Sequence, residues 1–259
     1  MENKMYSKAL KTAEISVADN PLVFSLPTFD DALAEVLYHQ PDRWSTVITP
    51  NLHHIYLLRQ YPDLVDLYSR ADRLYPDGWP VALMLSRITG EPVSRIAGSD
   101  LLESILAARG EGRPMVLVGG DGPEALDAVR RRAEANNWRV FLEPAPRYEV
   151  DDADSRNELL TRVARNGSGG LVVLGIGAPK QEKFADDLSL LPGAGHILCL
   201  GMAINFSAGV TTRAPAPLQR LGLEWIHRII QEPRRLAPRY ARDLRALVPT
   251  LLENVRNFK

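Results

Sequence analysis

The chain has 259 residues, 45% of them apolar and 24% charged, an ordinary globular balance that excludes a disordered or low-complexity protein. Lys and Arg number 31 against 32 Asp and Glu, so a whole-surface electrostatic grip on nucleic acid is excluded as well. A single cysteine, Cys199, rules out an internal disulfide framework and fits a reducing compartment.

The expected class is a soluble, cytoplasmic α/β protein. No apolar run approaches the ~20 residues that a membrane helix needs, and the opening MENKMYSKALKTAEIS lacks the apolar core of a secretory signal. The charge is nevertheless split. Residues 211–259 hold ten Lys and Arg and four Asp and Glu, while residues 1–210 hold 21 basic and 28 acidic residues. The tail is basic and the body acidic.

In chain order, Trp44 to Ile48 (WSTVI) reads as a buried strand and Leu52 to about Tyr68 as a helix. Pro114 to Val118 (PMVLV) is a strand followed by a helix from Pro123 to about Glu134. A short strand from Arg139 to Leu142 leads through a polar surface loop, 143–157, into a helix from about Ser155 to Arg165. Gly170 to Leu174 (GLVVL) is a strand with a helix from Pro179, and His196 to Leu200 is a further strand. Strands separated by helices predict βαβ units and a parallel sheet, whose ligands sit at the carboxyl ends of the strands. Those ends carry TPN (49–51), GGDG (119–122), GIGAPKQE (175–182) and GMAINFSAG (201–209). Glycine there lets backbone approach a ligand, and the next helix start offers free N–H groups to an anion.

From Leu218 on the pattern is helical and rich in Arg, with a break expected at Pro233. Leu236, Tyr240, Leu244, Leu247 and Leu251 fall on one face, and Arg235, Arg239 and Arg242 on another. Such a helix either packs its apolar stripe on the body or lies on an anionic membrane surface or ligand.

Several motifs admit competing readings. Gly120-Asp121-Gly122-Pro123-Glu124-Ala125 fits G-x-G-x-x-A, with Glu143 about 20 residues on where a ribose-binding acid would stand. The alternatives are a nicotinamide or flavin site, as in an NAD(P)-dependent oxidoreductase, an ordinary strand-to-helix turn, and a nucleotide-sugar loop. Asp77-Gly78 is either a turn or a general base with its flanking glycine. Asp152-Ala153-Asp154 reads as solvated charge, and the five histidines show no zinc spacing, so no metal is expected.

Thr49-Pro50-Asn51, Pro76-Asp77-Gly78, Gly98-Ser99-Asp100, Val118-Gly119-Gly120, Gly175 to Glu182 (GIGAPKQE), Arg213-Ala214-Pro215, and Arg220 to Trp225 (RLGLEW) follow one another along the chain. They continue through Arg228, Gln231 to Arg235 (QEPRR) and Arg239-Tyr240. In this order they resemble the WecG/TagA/CpsF family of bacterial glycosyltransferases over about residues 22–241.

The resemblance implies an inverting, metal-independent transfer with no cofactor. A hexose or N-acetylhexosamine, commonly of the N-acetylmannosamine type, would pass from a UDP-sugar to a polyprenyl-diphosphate-linked sugar. It implies Asp77 as base, and Thr49, Asn51 and Gln181 in the catalytic pocket. It also implies donor contacts from Gly78, Gly119, Gly120, Gly175, Gly177, Lys180, Glu182 and Asn205, and a diphosphate grip from Arg228, Arg235 and Arg239. Where the family often has Phe-Asp this chain has Ile204-Asn205, and where it often has two Arg before the Tyr this chain has Pro238-Arg239-Tyr240.

The expected architecture is a Rossmann-like, mostly parallel sheet flanked by helices. Residues 1–19 would form an N-terminal extension, 20–210 the core and 211–259 a basic helical appendage. That appendage would bring the enzyme to the inner face of the cell membrane.

Overall fold

The apolar runs pair into one parallel sheet. The protein is described by a computed structural model covering residues 10–210, 214, 215, 218 and 224–259, with the side chains of Glu224, Arg228 and Arg235 outside the description. The strands are β1 (Thr12–Val17), β2 (Asn20–Ser25), β3 (Trp44–Ile48), β4 (Arg73–Leu74), β5 (Pro114–Gly119), β6 (Arg139–Glu143), β7 (Gly170–Gly175) and β8 (Gly195–Cys199). The helices of the body are α1 (Phe29–Tyr38), α2 (Leu52–Gln60), α3 (Leu64–Arg70), α4 (Trp79–Thr89), α5 (Gly98–Ala107), α6 (Pro123–Ala135), α7 (Arg147–Asp151), α8 (Ala153–Gly167), α9 (Lys180–Ser189) and α10 (Ala203–Ser207). Two C-terminal helices follow, α11 (Glu224–Gln231) and α12 (Pro233–Asn254).

Among the described residues the main sheet has the order β4-β3-β8-β7-β5-β6, with every pair parallel. Strands β3, β5 and β8 are buried along their whole length, as expected when helices cover both faces of a parallel sheet. Alternate residues feed two cores. Val116, Val118, Val172 and Leu174 face one, closed by α2, α3, α8, α9 and the β1–β2 hairpin. Met115, Leu117, Leu171 and Val173 face the other, closed by α1, α5, α6 and α10.

Some elements differ from the pattern read in the sequence. The helix expected over 52–68 is two helices, because Pro62 lies between them without an N–H to donate. The loop expected over 143–157 contains α7, and Asp152 caps α8 by accepting from the Ser155 N–H at 2.9 Å. Residues 12–17 pair antiparallel with β2 through a tight turn. Ala18 (φ 50°) and Asp19 (φ 64°) are both left-handed in that turn, the backbone a two-residue hairpin demands, here without glycine.

The tail breaks where Pro233 opens α12. Leu236 is buried and Leu247 and Leu251 pack on the core, but Leu244 of the same expected stripe is 46% exposed. The inward face is completed by Asp243, Thr250 and Asn254, all buried. Asp243 meets His53 Nδ1 at 2.8 Å, Glu253 accepts from Arg59 at 2.7 Å, and the Asn254 amide bonds both backbone groups of Ser16 at 2.9 and 2.8 Å. Polar anchors as well as leucines therefore seat this helix on α2 and β1.

Candidate active site

The loops that follow β3, β7 and β8 meet at one end of the sheet, where open α/β sheets hold their ligands. The turn between β4 and α4 is pinned beside them: Tyr75 N–H donates to Ile48 O at 2.9 Å and Asp77 N–H to Pro50 O at 3.0 Å. Gly78 takes φ +75° directly after Asp77, so the chain can turn into α4 there with no side chain on its cleft side.

Two adjoining pockets result, of about 340 and 200 Å³, the larger of them in the range of small-molecule sites. Both are bordered by Asn51, His53, Asp77, Ser99, Phe206 and Arg239. The larger is polar and adds Thr49, His54, Gly175, Gly177, Gln181 and Asn205. The smaller is more apolar and adds Trp79, Arg95, Trp225, Tyr240 and Leu244. The first turns of α2, α5 and α9 border the polar pocket, and helix starts are where a fold favours an anion.

Asp77 belongs to both pockets. Burial pushes its carboxyl up to about 6, against the pull of the Arg95 and His54 charges and of hydrogen bonds from the Asn51 side chain and the Gly78 backbone. Near neutral pH it is mostly ionised yet basic enough to take a proton. Asn51 caps α2, accepting from His53 N–H at 3.0 Å, while His54 Nδ1 accepts from the Asn51 N–H at 3.2 Å in a reciprocal capping box. His53 is shifted down by burial, against the pull of its bond to Asp243.

The remaining candidates are held as follows. Thr49 donates to Cys199 O at 3.4 Å. Gln181 uses both ends of its amide, donating to Glu182 at 2.7 Å and accepting from Gly201 N–H at 3.0 Å. Asn205 accepts from Asp121 N–H at 2.8 Å, tying α10 to the loop after β5. Gly119 sits at φ +90° where a Cβ would come within 2.6 Å of the Ile176 side chain and 2.9 Å of the Gly175 carbonyl carbon, so only glycine lets the ends of β5 and β7 approach this closely. Gly119, Gly120 and Lys180 line a third pocket of about 290 Å³ that shares Asp121, Gly175 and Ile176 with the polar one. Lys180 there pairs with Asp151.

One residue expected at the donor is elsewhere. Glu182 has no exposed surface and lines none of these pockets, because it turns behind Gln181 toward His54. Arg239 does reach the cleft, its Nε 3.8 Å from Asp243, while the side chains of Arg228 and Arg235 lie outside the described residues.

A family model described as the glycosyl transferase WecG/TagA/CpsF family matches residues 7–259. The chain belongs to this family. It is a glycosyltransferase of cell-surface polysaccharide synthesis, a class that uses a nucleotide-sugar donor and a lipid-linked acceptor.

The oxidoreductase alternative gains no support in this glycosyltransferase. Glu143, its ribose-binding acid, is buried and held by Arg162 at 3.2 Å. Sequence reasoning passed over His53, His54, Arg95 and Asp243. The two histidines follow directly on the TPN motif and could have been noticed; nothing local marks Arg95 or Asp243, which only the packing brings to Asp77 and His53.

Proposed function

We propose that the enzyme moves a hexose or N-acetylhexosamine, of the N-acetylmannosamine type, from a UDP-sugar to a polyprenyl-diphosphate-linked sugar, with inversion and without a metal. The observation that carries this reading is Asp77, a carboxylate raised to about 6 between a polar and a more apolar pocket. In the proposed step Asp77 takes the proton of the acceptor hydroxyl as its oxygen attacks the anomeric carbon and UDP leaves from the opposite face. One displacement with one base gives inversion. Thr49, Asn51 and Gln181 would shape the sugar pocket. The glycine loops at 78, 119–120 and 175–177, with Lys180 and Asn205, would serve the nucleotide.

The leaving diphosphate needs fixed positive charge. Arg95 and Arg239 border the cleft, and guanidinium groups grip phosphate in a bidentate fashion. Arg228 and Arg235 would join them in this role.

We assign residues 20–210 to the catalytic core, 1–19 to an N-terminal extension and 211–259 to an appendage that meets the inner face of the membrane. Leu244, Val248, Leu252 and Val255 are exposed along α12 and just beyond it, beside exposed Arg242, Arg245 and Arg256. The two acids of α12, Asp243 and Glu253, are turned inward to His53 and Arg59. An aliphatic ridge among cations suits an anionic lipid surface. No helix among the described residues is long and apolar enough to cross a membrane.

The test is UDP release from a panel of UDP-sugars, with a polyprenyl-diphosphate-sugar analogue and EDTA present. Release with at least one UDP-hexose or UDP-N-acetylhexosamine, undiminished by EDTA, is the expected outcome. Silence across the panel, or a thermal shift with NADH and none with UDP, would overturn the reading.

A further inference from the structure

Glu182 is a fully buried carboxylate that the proposed chemistry does not use. Burying a charge is expensive unless it is paired and hydrogen-bonded. Its Oε1 accepts from Gln181 Nε2 at 2.7 Å and stands 3.4 Å from His54 Nε2, within ion-pair reach but off the hydrogen-bond line. Its Oε2, the His54 Nε2 and the Tyr68 hydroxyl are all buried without a hydrogen-bond partner. Three such groups in one place are rarely tolerated by a fold that gains nothing from them.

The neighbours show what Glu182 spans. His54 Nδ1 accepts from the Asn51 N–H, so a neutral ring carries its proton on Nε2, toward Glu182. A charged ring would add a proton at Nδ1, 3.0 Å from Asn51 Oδ1. Asn51 in turn bonds Asp77, and the charge of His54 acts on Asp77 directly. On its other side Glu182 holds the Gln181 amide, whose oxygen accepts from Gly201 N–H. One buried carboxylate thus joins the start of α9 to the start of α2. Tyr68 from α3 and Cys199 from β8 also face the pair; burial first, and then the Glu182 charge, push both of them up. Arg95 reaches Asp77 from the cleft side, and His53 stands beside His54 with its own partner, Asp243.

We propose that Glu182 is a positioning residue, orienting Gln181 and holding His54 beside Asp77. The proposal rests on Asp77 being the base, but its test does not require turnover. Glu182→Gln keeps the shape and removes the charge that His54 faces. Without that charge the His54 ring loses the carboxylate that holds it in place, and Asp77 loses the support that a ring held there gives its carboxylate.

The experiment follows the Asp77 side-chain carboxyl by carbon NMR through a pH titration in the full chain, alongside the pH profile of kcat. In Glu182→Gln the Asp77 midpoint is expected to rise by about half a unit or more, and the acidic limb of kcat to rise with it. UDP affinity is expected to stay within about twofold, since such positioning groups act through their neighbours. His54→Gln is expected to move the midpoint the same way, and the double variant no further than either single one, as for residues acting as one unit; His54→Gln also serves if Glu182→Gln does not fold. An Asp77 midpoint unchanged in the variants overturns the proposal. A midpoint that rises while the kcat profile stays put upholds it and overturns Asp77 as base instead.

Discussion

The two walls of the cleft are built differently. On the sheet side, Asn51, Asp77, Gln181 and Asn205 are fixed by short hydrogen bonds among loops that leave fully buried strands. On the opposite side, Arg239, Tyr240 and Leu244 come from α12, which is seated on the body by Leu236, Leu247 and Leu251 and by polar anchors but leaves Leu244 and Leu252 exposed. In the proposed reading the base and the sugar pocket lie on the first wall, and the charge for the leaving group comes from both, Arg95 from the body and Arg239 from α12. The same division explains how a chain of formal net charge −1 presents a strongly basic surface. The excess of arginine is confined to the helical tail.

Asp77→Asn tests the rigid wall and should have the largest effect. Losing the base should lower kcat about 10²–10⁴-fold, while UDP binding, measured by calorimetry, stays nearly unchanged. In the unaltered enzyme kcat should fall as pH drops through about 6, where Asp77 takes up its proton. The stability effect has the opposite sign. Because the folded state raises this carboxyl above its ordinary value, it binds the proton more tightly than the unfolded chain does. Its contribution to stability is therefore lost as pH rises through about 6. Asp77→Asn should melt higher than the unaltered enzyme at pH 7.5, and the gap should narrow at pH 5. An Asn variant that turns over normally, or melts lower at neutral pH, would contradict the charge placed there.

Arg239→Ala tests the other wall and should cost less. Its guanidinium borders both pockets but is one cation beside Arg95. Loss of one charge-assisted contact to the diphosphate predicts about a ten- to hundredfold fall in kcat/KM. Steady-state kinetics with varied UDP-sugar would check it. Equal kcat/KM in the variant would remove α12 from the diphosphate site.

The rigid wall was the more legible of the two in the sequence. Strands β3, β5, β7 and β8 announce themselves as apolar runs because helices cover both of their faces, and their ends carry the glycine and polar motifs that line the cleft. The β1–β2 hairpin was not read, because its turn uses Ala18 and Asp19 rather than glycine or the Asn-Gly pair. The inward face of α12 was read only in part by hydropathy, which found Leu236, Leu247 and Leu251 but not the polar residues beside them. Asp243, Thr250 and Asn254 are buried polar anchors whose partners lie some 190 to 240 residues away, and leucine spacing cannot reveal them. Glu182 carries the same lesson into the site: a charged residue inside a glycine-rich loop motif reads as a ligand contact until its partners are known to be His54 and Gln181.

Asn254→Ala separates the two walls most finely, and its effect is the smallest. Asn254 is fully buried, accepts from Ser16 N–H, and donates to the carbonyls of Ser16 and Thr250. The alanine would leave the Ser16 groups buried without partners, at a cost of about 1–3 kcal/mol. For a chain of this size that is a fall in Tm of several degrees, at about 2–4 °C per kcal/mol. Its anchor ties α12 to β1 rather than to Asp77, so kcat below the melting range should hold while Tm drops, the reverse of the pattern for Arg239→Ala. A fall in kcat with no change in Tm would mean that the far end of α12 governs the cleft, and that the helix moves as one rigid lever.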